Sequence, residues 1–213
     1  MKSSKSPERA ILCLRGSIGQ LKKINKNLIK TIPLVLALLC LAGSGFGQKV
    51  KPIYIDDPLP NISFGKMLFY KDTSAHLFDF TGKVILFDFW FTGCPVCIEM
   101  FPKVDSLQKQ FGKHLQIIMV TRDSKEKVLP LIKKWEQQYR TKWTLPIIVS
   151  DTLLHQYFPH HAEPNYVWLA PENRFVAQTS YFFIRKNIME SYLHHLPDEI
   201  YNSGYSVDSL YKK

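Results

Sequence analysis

An α/β fold, a mixed β-sheet covered by helices on both faces, is predicted by three observations. Residues 84–90 are apolar at every position except Asp88, as suits a central strand buried on both faces. Strand-like runs then alternate with segments whose apolar residues recur at three- and four-residue steps, which describes strands joined through helices. Near the end, two strand-like runs flank the turn Pro171-Glu172-Asn173, so one pair reads as an antiparallel hairpin.

Taken in order, residues 48–63, with prolines at 52, 58 and 60, read as an extended lead-in. Residues 65–70 form a plausible first strand, 71–74 a turn and 75–80 a connector ending at Thr81-Gly82. After the central strand, Met100, Phe101, Val104, Leu107 and Phe111 line a helix, which Pro102 should kink and Gly112 should end. Residues 114–121 are the next strand. Asp123, with Glu126 three positions on, offers a cap for a helix carrying Val128, Leu131, Ile132, Trp135 and Tyr139 on one face. A strand at 144–150, a short helix at 152–157, the hairpin 165–170 and 174–179, and a final helix at 187–196 complete the order. Pro197 stops that helix, and the polar tail receives no structure. The expected division is a targeting segment (1–47), the lead-in (48–63), one domain (64–196) and a tail (197–213).

The formal charge of +10 suggests nucleic acid until it is divided along the chain. Residues 1–47 hold eight of the 28 Lys/Arg and one of the 18 Asp/Glu, a net +7, which leaves +3 for the rest. Basicity belongs to the leader, so no nucleic-acid partner is expected. Lys22, Lys23, Lys26 and Lys30 precede the apolar run 32–42 and the small-residue stretch 43–47, the pattern of a secretory signal cleaved before Gln48. The run is short for a membrane span, and an uncleaved anchor is the alternative. The charged stretch ahead of it is long, which suggests that translation starts near Leu28.

Cleavage would remove Cys13 and Cys40 and leave Cys94 and Cys97 as the cysteines of the mature chain. A structural disulfide framework needs more cysteines, spread across the sequence. With Cys94 just outside a helix N-terminus and Cys97 one turn in, the sulfurs can close a small disulfide. Unpaired N–H groups and the helix dipole favour a thiolate at the first sulfur, and Pro95 suits the first helical position. The thiolate is the species that attacks disulfides. The competing reading, half a zinc site, needs two more ligands, for which only scattered histidines are on offer. His155, His160 and His161 read as solvated, so no metal or cofactor is expected.

The run Asp-Phe-Trp-x-x-x-Cys-Pro-x-Cys at 88–97, with Pro102 five positions on, resembles the thioredoxin superfamily. Gly82-Lys83 and a surplus of residues between Cys97 and Pro164 look most like the TlpA/ResA-like envelope thiol–disulfide oxidoreductases. That surplus fits one inserted helix–strand unit within 124–150, and the likeness covers about residues 58–196. It implies a thioredoxin-like domain, Cys94 as attacking and Cys97 as resolving thiol, and Asp88 as a buried proton acceptor for Cys97. It also implies that Pro164 is a cis-proline facing the pair. Trp90, Gly93, Pro95, Glu163 and Pro164 are the candidate substrate-facing residues. Trp90 and Phe91 are expected first as packing beneath the turn, with Trp90 also shaping the groove, and Glu163 is expected to point to solvent. Gly93 stands where thioredoxins commonly carry tryptophan, which opens the surface beside Cys94.

The resemblance implies an exported enzyme of the periplasm that reduces disulfides of envelope proteins. A membrane electron donor would recharge it, and a monomer or weak dimer is expected. Two alternatives stand beside this reading. A peroxiredoxin-like peroxidase shares the inserted unit but would need threonine where Phe91 stands, three before Cys94. A Sco-like copper-binding chaperone would need a wider cysteine spacing and a histidine such as His160 or His161.

Overall fold

The computed structural model describes residues 50–194, so the leader and tail readings lie outside the described residues. Strand β4 (Val84–Phe89) is buried at all six positions. It runs parallel to β5 (Leu115–Val120) on one side and antiparallel to β7 (Asn165–Leu169) on the other, and both of its faces are apolar because each is covered by core. The hairpin partner β8 (Phe175–Ser180) follows β7 through a turn in which Asn173 takes φ 63°, a left-handed conformation that asparagine tolerates. Beyond β5 lie β6 (Ile147–Ile148), parallel, and β2 (Met67–Leu68), antiparallel, giving the order β2-β6-β5-β4-β7-β8. A separate two-stranded pair joins β1 (Ser63–Phe64) to β3 (Ala75–His76).

The alternation of β4 sorts the core into two halves. Val84, Leu86 and Trp90 share one half with residues of α1 (Pro95–Phe111), α2 (Lys125–Tyr139) and α4 (Lys186–His194). A chain of edge-to-face aromatics runs through it: Trp90–Phe101 and Phe101–Trp143 each at 5.0 Å, then Trp143–Trp135 at 5.1 Å. Ile85, Phe87 and Phe89 share the other half with Phe64, Leu77, Phe158 and Leu154 of the four-residue helix α3 (Leu154–Tyr157). Helices therefore flank both faces, the long ones all on one. Helix α2 and strand β6 are the inserted helix–strand unit, and they extend the sheet past β5.

Several local expectations are corrected. The strands expected at 65–70 and 144–150 shrink to two residues each. Pro146 has no N–H to give, Trp143 Nε1 donates to the Leu145 carbonyl at 2.7 Å, and Thr144 Oγ1 reaches Asp105 at 3.1 Å, so only Ile147 and Ile148 continue the ladder. Pro102 does not interrupt α1, and Pro130 likewise lies inside α2. The N-cap of α2 is Ser124, not Asp123. The lead-in is part of the packed structure: Leu59 and Ile62 are buried, and Ile53 and Asp56 donate backbone hydrogen bonds to Tyr157 and Phe175. The final helix is described as far as His194.

Candidate active site

Strand β4 delivers the chain to a tight turn in which the Cys94 N–H donates to Phe91 O at 3.1 Å. Pro95 opens α1 as its first residue, which leaves Cys94 as the N-cap. Its sulfur accepts the Cys97 N–H at 3.1 Å, as a capping side chain does. The two sulfurs are joined in a disulfide, with Cα atoms 5.3 Å apart. The same N–H and the positive end of the 17-residue helix would stabilise a thiolate at Cys94 once the bond is reduced. Cys94 is only 4 % exposed, so the first sulfur is more enclosed than the sequence suggests.

Across the fold the Glu163–Pro164 peptide is cis, and the Glu163 carbonyl oxygen lies 3.7 Å from Cys94 Sγ. Pro164 is buried immediately before β7, so the strand that pairs with β4 starts at the peptide facing the disulfide.

Asp88 sits in the middle of β4, 2 % exposed, in register with Met119 on one side and Tyr166 on the other. Its parity is that of Trp90, so it faces the half of the core that contains both cysteines. Burial raises its pKa well above the carboxylate range. The Tyr166 hydroxyl beside it lowers the value in part, without a hydrogen bond of ordinary geometry, while the charge of Glu163 raises it further. Burial and the neighbouring Asp88 together raise the Tyr166 hydroxyl in turn.

Trp90 does not line a groove. It is fully buried against Phe101, and its indole Nε1 has no hydrogen-bond partner. Phe91, expected beneath the turn, is instead 43 % exposed and supplies the aromatic surface beside the cysteines. Its ring lies over Gly93, where a Cβ would come within 3.1 Å of the ring edge. Gly93 and Pro95 are exposed at the rim.

Glu163 and two histidines overturn their expected solvent exposure. The Glu163 carboxylate is 15 % exposed, with Oε1 lying 3.6 Å from His155 Nε2 and 3.5 Å from His160 Nε2. Burial alone would raise its pKa, but the two imidazoles outweigh burial and hold it at about 2. Burial likewise opposes charge on His155, yet the carboxylates of Asp151 and Glu163 bring its pKa out above the usual value. His161 is exposed, as expected. Among the described residues, His155, His160 and Glu163 are the group whose ligand atoms, all within 4.8 Å of one another, could hold a metal ion.

Asp123 is the supporting residue that local sequence reading misses. Its carboxylate accepts from the Thr92 backbone N–H at 2.7 Å and the Thr92 hydroxyl at 2.8 Å, clamping the turn that leads into Cys94. Burial pushes its pKa up, but the two Thr92 bonds and Lys127 outweigh this and leave it below the usual range. Replacing Asp123 with alanine should cost about 1–3 kcal/mol, read as a lower urea midpoint, with faster hydrogen exchange at the Thr92 amide. A depressed folded pKa means the stabilisation is present above the unfolded carboxylate pKa and lost as pH falls through the folded value. The variant should therefore lose part of the acid-side fall in stability.

The chain is similar in sequence and in fold to known proteins. The sequence model of the AhpC/TSA family matches residues 55–188, more than half of the chain. The chain is 32% identical over 76 residues to the thioredoxin-like protein YneN of Bacillus subtilis (strain 168), a stretch covering 36% of this chain and 44% of that protein. It thus spans less than half the length of that curated relative. The thioredoxin domain of a thiol–disulfide oxidoreductase from Bacteroides vulgatus superposes with a TM-score of 0.53 at 25% identity, covering 66% of this chain and 99% of that one. A thiol:disulfide interchange protein from Bacteroides sp. gives 0.53 at 23% identity, over 68% and 94% of the two chains. The fold is thioredoxin-like.

Proposed function

The chain belongs to the AhpC/TSA family, and we propose that within it the protein is an exported thiol–disulfide oxidoreductase that reduces protein disulfides. One observation carries the reading. The Cys94–Cys97 disulfide sits where a buried strand meets a helix N-terminus, its first sulfur facing the backbone carbonyl that precedes Pro164.

In the proposed cycle the Cys94 thiolate attacks one sulfur of a substrate disulfide. The substrate S–S bond breaks, its other sulfur leaves as a thiolate, and a mixed disulfide to Cys94 forms. Asp88 then takes the proton of Cys97. The resulting thiolate attacks Cys94 Sγ, closing the internal disulfide and releasing the second substrate thiol. Two electrons pass from the dithiol to the substrate. The exposed ring of Phe91, the rim at Gly93 and Pro95, and the backbone beside Pro164 form the substrate-facing surface, with a disulfide-bearing envelope protein as the substrate class.

A membrane electron donor would return the pair to its dithiol form. The leader pattern in residues 1–47 supports export to the periplasm. Among the described residues no helix is long and apolar enough to cross a membrane. A peroxidase reading is disfavoured within the family because Phe91 stands three positions before Cys94.

The test is the reduction potential of the Cys94–Cys97 pair, by alkylation and mass spectrometry in defined thiol buffers. A value near that of thioredoxin, about −270 mV, is the expected result. A value near that of DsbA, about −120 mV, would make the protein a disulfide donor instead.

A further inference from the structure

The second chemical feature of the molecule lies beside the dithiol and is not used by its cycle. His155 sits in α3, which Asp151 anchors by accepting three backbone N–H groups, those of Leu153, Leu154 and His155, at 3.1–3.3 Å. Asp151 Oδ2, which accepts the His155 N–H, also holds His155 Nδ1 at 2.6 Å. His160 Nδ1 is held in the same way by the Phe158 carbonyl at 2.8 Å. Both rings pack edge-on against Phe89 of β4, with centroids at 4.9 and 4.8 Å. Each imidazole therefore has its Nδ1 engaged by an acceptor and its orientation fixed from two sides, which leaves Nε2 as the free atom.

Those two Nε2 atoms converge on Glu163 Oε1, at 3.6 and 3.5 Å. Neither distance is a hydrogen bond, which would bring the atoms to about 2.7–3.2 Å. Four-coordinate zinc with bonds of about 2.0–2.2 Å places neighbouring ligand atoms about 3.3–3.6 Å apart. His155 is 2 % exposed, and its Nε2 has no hydrogen-bond partner. A buried imidazole nitrogen aimed at a carboxylate beyond hydrogen-bond distance is a polar atom whose hydrogen bond is unmade among the described residues. A histidine that ligates a metal commonly has its other nitrogen held by a carboxylate or a backbone carbonyl, and both versions are present here.

We propose that His155 Nε2, His160 Nε2 and Glu163 Oε1 bind a divalent cation of the zinc class, with the fourth position open. Two imidazoles and one carboxylate suit zinc and fit poorly with calcium or magnesium, which prefer all-oxygen sites. The cysteines are outside this donor set, so the site is independent of the redox reading and persists in the oxidised chain. It adjoins the dithiol through Glu163, which gives its carboxylate to the cluster and its carbonyl to Cys94.

The experiment titrates the full chain, fully oxidised, with Zn²⁺ against a chromophoric chelator, and with Co²⁺ as a spectroscopic probe. One equivalent should bind, and Co²⁺ should give d–d bands without a sulfur-to-cobalt charge-transfer band. His160→Gln and Glu163→Gln should weaken binding at least tenfold. Asp151→Asn, which keeps an oxygen to cap α3, should weaken it by about 10–100-fold through the orientation of His155. A Cys94→Ser/Cys97→Ser chain should bind as the wild type does. The proposal falls if no equivalent binds, if the His160 and Glu163 variants bind as tightly as the wild type, or if binding requires the cysteines.

Discussion

Replacing Cys97 with serine should arrest the protein as a covalent adduct with its substrate. Cys94 would still attack, because the groups that stabilise its thiolate are backbone N–H groups and the α1 dipole, which the substitution leaves in place. No second thiolate would then exist to displace the substrate sulfur. Incubated with a disulfide-bearing protein, the variant should accumulate a mixed disulfide, approaching one per chain and visible by mass without reductant. Turnover should fall to the rate at which external thiol resolves the adduct. Cys94→Ser should give no adduct and no turnover, since a serine hydroxyl without a base is a poor nucleophile. An adduct on Cys94→Ser and none on Cys97→Ser would exchange the two roles.

The parts of this site that were legible in the sequence are those whose signal is local and periodic. Strand β4 is an unbroken apolar run, and α1 follows it with apolar residues at helical spacing, so the position of both cysteines followed from pattern alone. The packing role expected of Trp90 was legible too, whereas the exposure of Phe91 was not, because strand parity ends with the strand. Trp90 shares the parity of Val84 and Leu86, which face α1, whereas Phe91 lies beyond the last paired residue and turns outward. What was hidden depends on partners far along the chain. Asp123 looks like a helix cap because an acidic residue precedes a periodic run, yet its partner is Thr92, 31 residues earlier. Strand β6 is shorter than its apolar run because Pro146 and the side-chain bonds of Trp143 and Thr144 limit its ladder, which propensity does not register. His155 and His160 stand at H-x4-H spacing, within the range of zinc sites, but spacing does not show that Glu163 joins them. The available signal was Asp151 four residues before His155 on a short helix, where an i, i+4 pair fixes a ring.

Asp88→Asn should separate catalysis from stability more sharply than any other substitution in the chain. Asp88 is enclosed by apolar strands and faces the half of the core that holds both sulfurs. If it accepts the Cys97 proton, an amide cannot replace it, and closure of the internal disulfide should slow by about 10²–10⁴-fold, the usual range for a general base. Attack by Cys94, measured as formation of the mixed disulfide, should change far less. The pH profile of the closing step should also lose the limb that reports Asp88. Stability should move the other way. Burial raises the folded pKa, with the Tyr166 hydroxyl opposing it only in part. The folded state then holds its proton above the pH at which the unfolded chain releases it. Stability from this group is complete below the unfolded pKa, about 3.9, and is lost as pH rises through the folded value. Asparagine cannot ionise, so the variant should gain urea resistance over the wild type as pH rises through that window and keep the gain at neutral pH. A carboxylate retained only for structure would show the reverse: a variant less stable at every pH, with closing kinetics unchanged.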